Sequence, residues 1–398
     1  MKILVINSGS SSIKFQVIQM PEAETLCKGL VERLGHPQGT LHYKSKKGSL
    51  QKTAHFADHA VGLKAVIEIL IDQEKGVLDS HAAIDAVGHR VVHGGDAFDA
   101  PVVIAPHVLK TIKGLSSLAP LHNPANAIGI ETAMALFPNA TQIAVFDTAF
   151  HQSIPQLAHT YAIPKELTQK HQIRVYGFHG TSHKYVSERA MEHLHGKAGN
   201  LITIHLGNGC SITAIKAGKS IEHSLGFGPS NGLIMGTRCG DIDQSVIFFL
   251  MDTLGLESKE INAMLQKKSG LLGLTGYSDL RDVQTEAEKG NQDCVLALQM
   301  TAHRIKKYIG AYTALLNGLD AIVFTAGIGE NSAMLRKLIC SDMEGLGIRM
   351  DDDKNLKVSS IEGIAEFHEN ESEVGLLVIP TDEEQEIARQ SYSLLSSK

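Results

Sequence analysis

The phosphate-binding pattern G-x-x-x-x-G-K-[ST] is missing from the 398 residues; its nearest approach, Gly218-Lys219-Ser220, has Thr213 where the first glycine would stand. No apolar stretch approaches the ~18 residues of a membrane span. Basic residues are not in excess: 37 Lys and Arg against 43 Asp and Glu give a net charge of −6 and a pI near 6.4. That balance argues against nucleic acid or an anionic membrane as partner. The five cysteines, Cys27, Cys210, Cys239, Cys294 and Cys340, are scattered, odd in number and free of C-x-x-C spacing. They predict reduced thiols rather than a disulfide framework or a structural zinc site. The apolar N-terminal run meets Ser8 too early for a secretion signal, so a cytoplasmic protein is expected.

What is present is an ordinary globular composition, 43% apolar and 20% charged, at a length that suits two domains. Apolar or alternating runs predict strands over 2–7, 13–19, 25–33, 40–46, 83–92, 142–147, 201–205, 211–216 and 219–223. Helical patterns cover 59–74, 243–254, 258–268, 293–316 and 383–395, with Pro155 and Pro164 at a crossing between halves. Three strands break into small-residue turns: Ser8 to Ser12, Gly207-Asn208-Gly209 and Gly327-Ile328-Gly329. Such turns let backbone N–H groups approach an anion, and three of them point to a nucleotide phosphate chain held from several sides. The first two turns share a strand, a small-residue turn and Ser-Ile on the returning strand, as two copies of one unit would. Two α/β lobes facing one another across a cleft are predicted.

Seven segments in order, Asn7-Ser8-Gly9-Ser10-Ser11-Ser12-Ile13-Lys14, His89 to Gly95, Phe146 to His151, Gly177 to His183, His205 to Gly209, Gly236 to Asp241 and Gly327 to Asn331, resemble the acetate kinase family over nearly the whole chain. The resemblance implies the α/β fold of the sugar kinase, heat-shock ATPase and actin superfamily. This fold has two ribonuclease H-like lobes, each a copy of a duplicated βββαβαβα core, around a nucleotide cleft. The N-terminal lobe would span 1–150 and be joined by the last helix, 384–398; the C-terminal, nucleotide-binding lobe would span 151–383. The implied activity is reversible, Mg2+-dependent (Mn2+ also suitable), direct in-line phosphoryl transfer from ATP to acetate, giving ADP and acetyl phosphate, in a homodimer. Propionate or butyrate kinase on the same fold is the alternative. A non-catalytic ATP-binding module is disfavoured, because a nucleotide sensor needs no acid-side group such as Arg90.

By this resemblance Arg90 holds the acid carboxylate, while Arg238 and His179 stabilise the transferring phosphoryl group, whose charge spreads over its equatorial oxygens. Both arginines lie in apolar or glycine-rich surroundings, where a guanidinium needs an anion. His179 and His183 also have the spacing of an H-x-x-x-H zinc pair on one helical face, without a visible third ligand. Asp147 ends an apolar strand and is expected to orient a cationic side chain or metal-bound water; the family pattern also permits a catalytic base, and a turn-capping role remains open. An acid with pKa of about 4 to 5 is already ionised at pH 7 and needs no base. Asn7 and Glu383 are the implied Mg2+ anchors, Glu383 lying equally where the first turn of the last helix favours acid. Val92, Leu121, His122, Phe178 and Pro229 are implied for the acid pocket, although Val, Leu and Phe are more often core. Lys14, His205, Leu206, Gly207, Asn208 and Gly209 are expected at the phosphates. Asp279, Leu280, Arg281, Gly327, Ile328, Gly329, Glu330 and Asn331 are expected at the nucleoside.

Overall fold

A computed structural model describes residues 1–120, 122–196 and 198–397, with His81 given by its backbone alone. The chain divides into two units, Met1–Gln152 with Asp382–Lys398, and Ser153–Thr381.

The first unit is built on β1 (Lys2–Ser8), β2 (Ser12–Gln19), β3 (Glu24–Glu32), β4 (Gly39–Ser45), β5 (Gly48–Ala54), β6 (Ala86–Val91), β7 (Val102–Val103) and β8 (Thr141–Phe146), in the order β5-β4-β3-β2-β1-β6-β8-β7. Strands β1 to β5 form an antiparallel meander, whereas β1, β6 and β8 run parallel. Central β1 is covered on both faces, and its Ile3-Leu4-Val5-Ile6 run is correspondingly unbroken. Leu4 and Ile6 meet Leu63, Val66 and Ala133 of helices His59–Leu70 and Asn123–Leu136. Ile3 and Val5 meet Ile387 and Ala388 of the last helix, Glu383–Ser396. Gly88 permits that second contact, since a Cβ there would stand 2.8 Å from Ile387 Cγ2.

The second unit repeats the plan with β9 (Asn200–Leu206), β10 (Cys210–Lys216), β11 (Lys219–His223), β12 (Ala321–Thr325), β13 (Ala365–Glu366) and β14 (Gly375–Val378), ordered β11-β10-β9-β12-β14-β13. Its antiparallel β9–β10–β11, parallel β9–β12–β14 and antiparallel edge β13 match β1–β2–β3, β1–β6–β8 and edge β7 of the first. The duplication suggested by the two turns is therefore carried through the topology of both sheets.

Three sequence expectations are corrected. Helix His59–Leu70 ends four residues before Glu74, and the 83–92 strand starts at Ala86, after a 3-10 turn at His81–Ala83. The Gly327-Ile328-Gly329 segment is no turn but part of a short helix, Ala326–Asn331, entered through Ala326 at φ +63°. Strand β5, with the mostly exposed sequence GSLQKTA, was not predicted because no apolar alternation marks it.

Burial lowers the His89 pKa to about 4 from an ordinary 6.5, against the opposing bond from Nε2 to Gln142 Oε1 at 2.8 Å. Between these values the unfolded chain binds the proton and the folded chain does not, so stability falls as pH drops from 6.5 towards 4, by up to ~3 kcal/mol for this group. Urea unfolding at pH 7 and 4.5 should show a smaller loss in His89→Asn than in the unaltered chain; equal losses would contradict it.

Candidate active site

In the first unit, neighbouring parallel strands β6 and β8 bring Arg90 and Asp147 together at their C-terminal ends. Arg90 Nε lies 3.0 Å from Asp147 Oδ1, and Nη2 lies 2.6 Å from Oδ2. The Asp147 side chain is buried, and this two-point pair helps make its charge tolerable there. Glu383, at the start of the last helix, approaches Arg90 Nε at 3.7 Å. Burial alone would lower the Arg90 pKa, but Asp147 and then Glu383 reverse this and raise it. Arg90 is thus permanently charged, and among the described residues Nη1 donates to nothing, which leaves one edge of the guanidinium with donors to offer. Asp147 is thus paired with a cationic side chain.

Asn7, the last but one residue of β1, stands opposite Lys14 of β2, and Lys14 Nζ is taken up by Glu384 Oε1 at 2.7 Å. That ion pair draws the first turn of the last helix, with Glu383, to the end of the sheet that carries Asn7. Asn and Glu offer the hard oxygen donors that magnesium takes together with several waters. The residues present therefore fit Mg2+. The neighbouring Val92 is half-buried, its N–H donating to Asn126 Oδ1 at 3.1 Å. His122 precedes helix Asn123–Leu136 and donates its N–H to Ala119 O. Leu121 lies outside the described residues.

The second unit holds the other predicted groups. His179 has φ +56° and precedes helix Gly180–His193, so it does not share a helical face with His183 as a zinc pair would. Its Nδ1 lies 2.9 Å from Ser211 Oγ, and His183 Nε2 lies 2.7 Å from the same oxygen. Among the described residues no cluster of three His, Cys, Asp or Glu side chains gathers for a metal. The His179 ring stacks on His205 with centroids 4.4 Å apart, and His205 Nδ1 meets Ser182 Oγ at 2.9 Å.

Gly209, just before β10, lies between His179 and Arg238. A Cβ there would lie 3.4 Å from His179 Nε2 and 3.6 Å from Arg238 Nη1, so both nitrogens line one spot that only a missing side chain leaves clear. Arg238 Nη1 donates to Pro229 O at 2.8 Å, which joins two of the predicted residues. Arg238 makes no ion pair among the described residues. Burial lowers its pKa, partly offset by Cys210, whose thiol burial pushes up to about 12. A half-buried guanidinium without a carboxylate, next to an imidazole, has the chemistry to take an anion. Phe178 is buried, its N–H donating to His223 Nε2.

Beside this spot a cavity of about 880 Å³ gathers Gly207 and Asn208, Asp279 to Arg281, and Gly327, Ile328 and Asn331 from segments far apart in sequence. Asp279 caps helix Leu280–Glu288 and holds Arg281 at 2.6 Å; chiefly through that hydrogen bond, its carboxyl drops to about 2. Gly329 and Glu330 sit behind the wall: Arg336 Nη1 donates to both carbonyls, and burial raises the Glu330 carboxyl, whose Oε1 accepts from Thr381 N–H. Leu206 lines a smaller void adjoining Gly207. The sequence reading missed Ser278, Gln284 and Ser332 in the cavity wall. Gln284 could have been found, since it follows Leu280 by one helical turn and donates to Ser332 Oγ at 2.9 Å. It also missed Asn126, which donates to Ser8 O at 2.8 Å and so ties the first small-residue turn to Val92.

The acetokinase family profile matches residues 2–389. The chain is 56% identical over 397 residues to an acetate kinase of Flavobacterium johnsoniae, covering all of both chains. It is 49% identical to an acetate kinase of Thermotoga maritima, covering 99% of each. The crystal structure of Porphyromonas gingivalis acetate kinase superposes with a TM-score of 0.93 at 43% identity, covering 99% of each chain. A propionate kinase of Francisella tularensis superposes with a TM-score of 0.92, also at 43% identity, covering 98% of each. The chain has the fold of these kinases and belongs to the acetokinase family.

Proposed function

We propose that this chain transfers the γ-phosphoryl group of ATP to acetate, reversibly, giving ADP and acetyl phosphate. The observation that carries this reading is the uncompensated Arg238 guanidinium sharing one spot with His179 Nε2 beside a nucleotide-sized cavity. Arg90 binds the acid through the edge turned away from Asp147, and Asp147 keeps that guanidinium charged and fixed. His179 and Arg238 donate to the equatorial oxygens as the acid oxygen attacks in line, so the rate comes from positioning and charge stabilisation without a general base. Asn7 and Glu383 would hold Mg2+, which neutralises charge on the β- and γ-phosphate oxygens when bound. His205 to Gly209 would face the phosphates, Lys14 would add a positive charge for the nucleotide, and the 279–281 and 327–331 segments would hold the nucleoside. Hydroxylamine trapping tests the reading: ATP-dependent hydroxamate should form with acetate, and its absence with every short acid would overturn it.

Propionate is the second reading, favoured by the propionate kinase structural relative. Val92 stands two residues from Arg90, and a β-branched side chain there leaves little room beyond a methyl once the carboxylate is fixed. A methylene is worth only ~1 to 3 kcal/mol, so propionate should react with a lower kcat/KM than acetate. Val92→Ala should narrow or invert that ratio with the ATP KM nearly unchanged; a ratio indifferent to the substitution would put Val92 in the core. With Phe178 buried and Pro229 engaged through its carbonyl, Val92 is the clearest single probe of acid size, His122 and Leu121 being secondary.

Self-association as a homodimer is part of the proposal. Helix Gln244–Asp252 has no buried residue, and Phe248 and Phe249 are 59% and 54% exposed. A second copy would remove this apolar patch from water. Sedimentation velocity should give a dimer that Phe249→Glu dissociates; a monomeric unaltered chain would contradict it. The five free thiols suit a reducing compartment, hence the cytoplasm.

A further inference from the structure

Half-buried His179 is the last member of a chain of four hydrogen-bonded side chains, and the phosphoryl-transfer reading does not use the other three. Thr203 Oγ1 on β9 lies 2.7 Å from His183 Nδ1. His183 Nε2 lies 2.7 Å from Ser211 Oγ on β10, and Ser211 Oγ lies 2.9 Å from His179 Nδ1. Thr203, His183 and Ser211 are each fully buried.

Each hydroxyl has one proton to give, so the chain can run in two directions, and they place the His179 proton on different nitrogens. The Thr203 end decides between them. If Thr203 accepted from His183, its own buried O–H would need another acceptor, and none is recorded among the described residues. An unmade buried donor is the costly case, whereas an oxygen with a spare lone pair is commonly tolerated. Thr203 therefore donates to His183 Nδ1. Neutral His183 then carries its proton on Nε2 and donates to Ser211, and Ser211 donates to His179 Nδ1. The neutral His179 ring is left with its proton on Nε2, the nitrogen that shares the Gly209 spot with Arg238. In the opposite direction a neutral His179 would aim a lone pair at anionic oxygens.

We propose that Thr203, His183 and Ser211 are positioning residues for the reaction, a buried relay that fixes His179 as an Nε2–H donor toward the transferring phosphoryl group. The consequence for rate rests on the function proposed above, whereas the tautomer itself does not. A catalytic histidine held in the wrong tautomer can lose up to about 10⁴-fold in kcat.

The test is 15N side-chain NMR of the full-length protein labelled at histidine, with His179 assigned from His179→Gln, read beside steady-state kinetics. The unaltered chain should show His179 protonated on Nε2 before any substrate is added. Ser211→Ala, and Thr203→Val two hydrogen bonds further back, should each mix the tautomers. Each should lower kcat by roughly tenfold or more, with the ATP KM within about twofold. Thr203→Ser, which keeps the hydroxyl, should restore both readouts, and its thermal melt separates loss of the proton from loss of the fold. An Nδ1–H tautomer in the unaltered chain would overturn the relay, as would a Thr203→Val protein with unchanged tautomer and kcat. If the tautomers respond as expected but no acyl phosphate forms, the relay stands and the phosphoryl-transfer reading fails.

Discussion

Arg238→Ala lowers kcat by ~10²-fold or more while the ATP KM stays within a few-fold. The expectation follows from the environment of the guanidinium: no carboxylate among the described residues neutralises it, and Nη1 is held by Pro229 O beside the Gly209 spot. A charge kept unpaired in the free protein is most strongly satisfied when negative charge moves onto the transferring oxygens, so its removal acts on the transition state. Gly209→Ala provides a control, because its methyl would make only ordinary contacts with His179 and Arg238 and leave the fold intact while filling the spot. Both variants should therefore be well folded and slow. A normal kcat in Arg238→Ala with a raised ATP KM would make Arg238 a nucleotide ligand instead.

The second large effect is at Arg90. Arg90→Ala removes the acid's partner and also leaves Asp147, whose side chain is 2% exposed, without its two-point cation. Breaking such a pair costs several kcal/mol when fully buried; with Arg90 itself 20% exposed, about 2 kcal/mol is expected here. The acetate kcat/KM should fall by ~10²-fold or more. Arg90→Ala/Asp147→Ala, which removes both charges, should recover most of the stability and none of the activity. Steady-state kinetics and urea unfolding on the same preparations separate the two losses, and a double variant that regained acetate turnover would remove Arg90 from the acid site.

The parts of this account that were legible in the sequence are those written in contiguous residues. Ile3 to Ile6 and Leu201 to His205 read as central strands because both faces of each are covered, and the turns after them break off at Ser8 and Gly207. Strand β5 was invisible because its side chains face water and nothing apolar alternates. The 327–329 segment read as a turn from its glycines, yet Arg336 ties the carbonyls of Gly329 and Glu330 and closes a short helix. Tertiary contact outweighs local propensity there. The same limit applies to the site. Asp147 was visible as a strand-end acid, but its bond to Arg90 crosses 57 positions. The Thr203–His183–Ser211 chain joins two strands and a helix that no spacing rule connects.

The most direct measurement is 31P NMR of the complete reaction run with 18O-labelled acetate. ADP and acetyl phosphate should form in equal amounts, the acetyl phosphate resonance carrying the isotope shift of one 18O bonded to phosphorus, because an acid oxygen attacks the γ-phosphorus. Formation of AMP and pyrophosphate, or of inorganic phosphate without an 18O-shifted acyl phosphate, would contradict it.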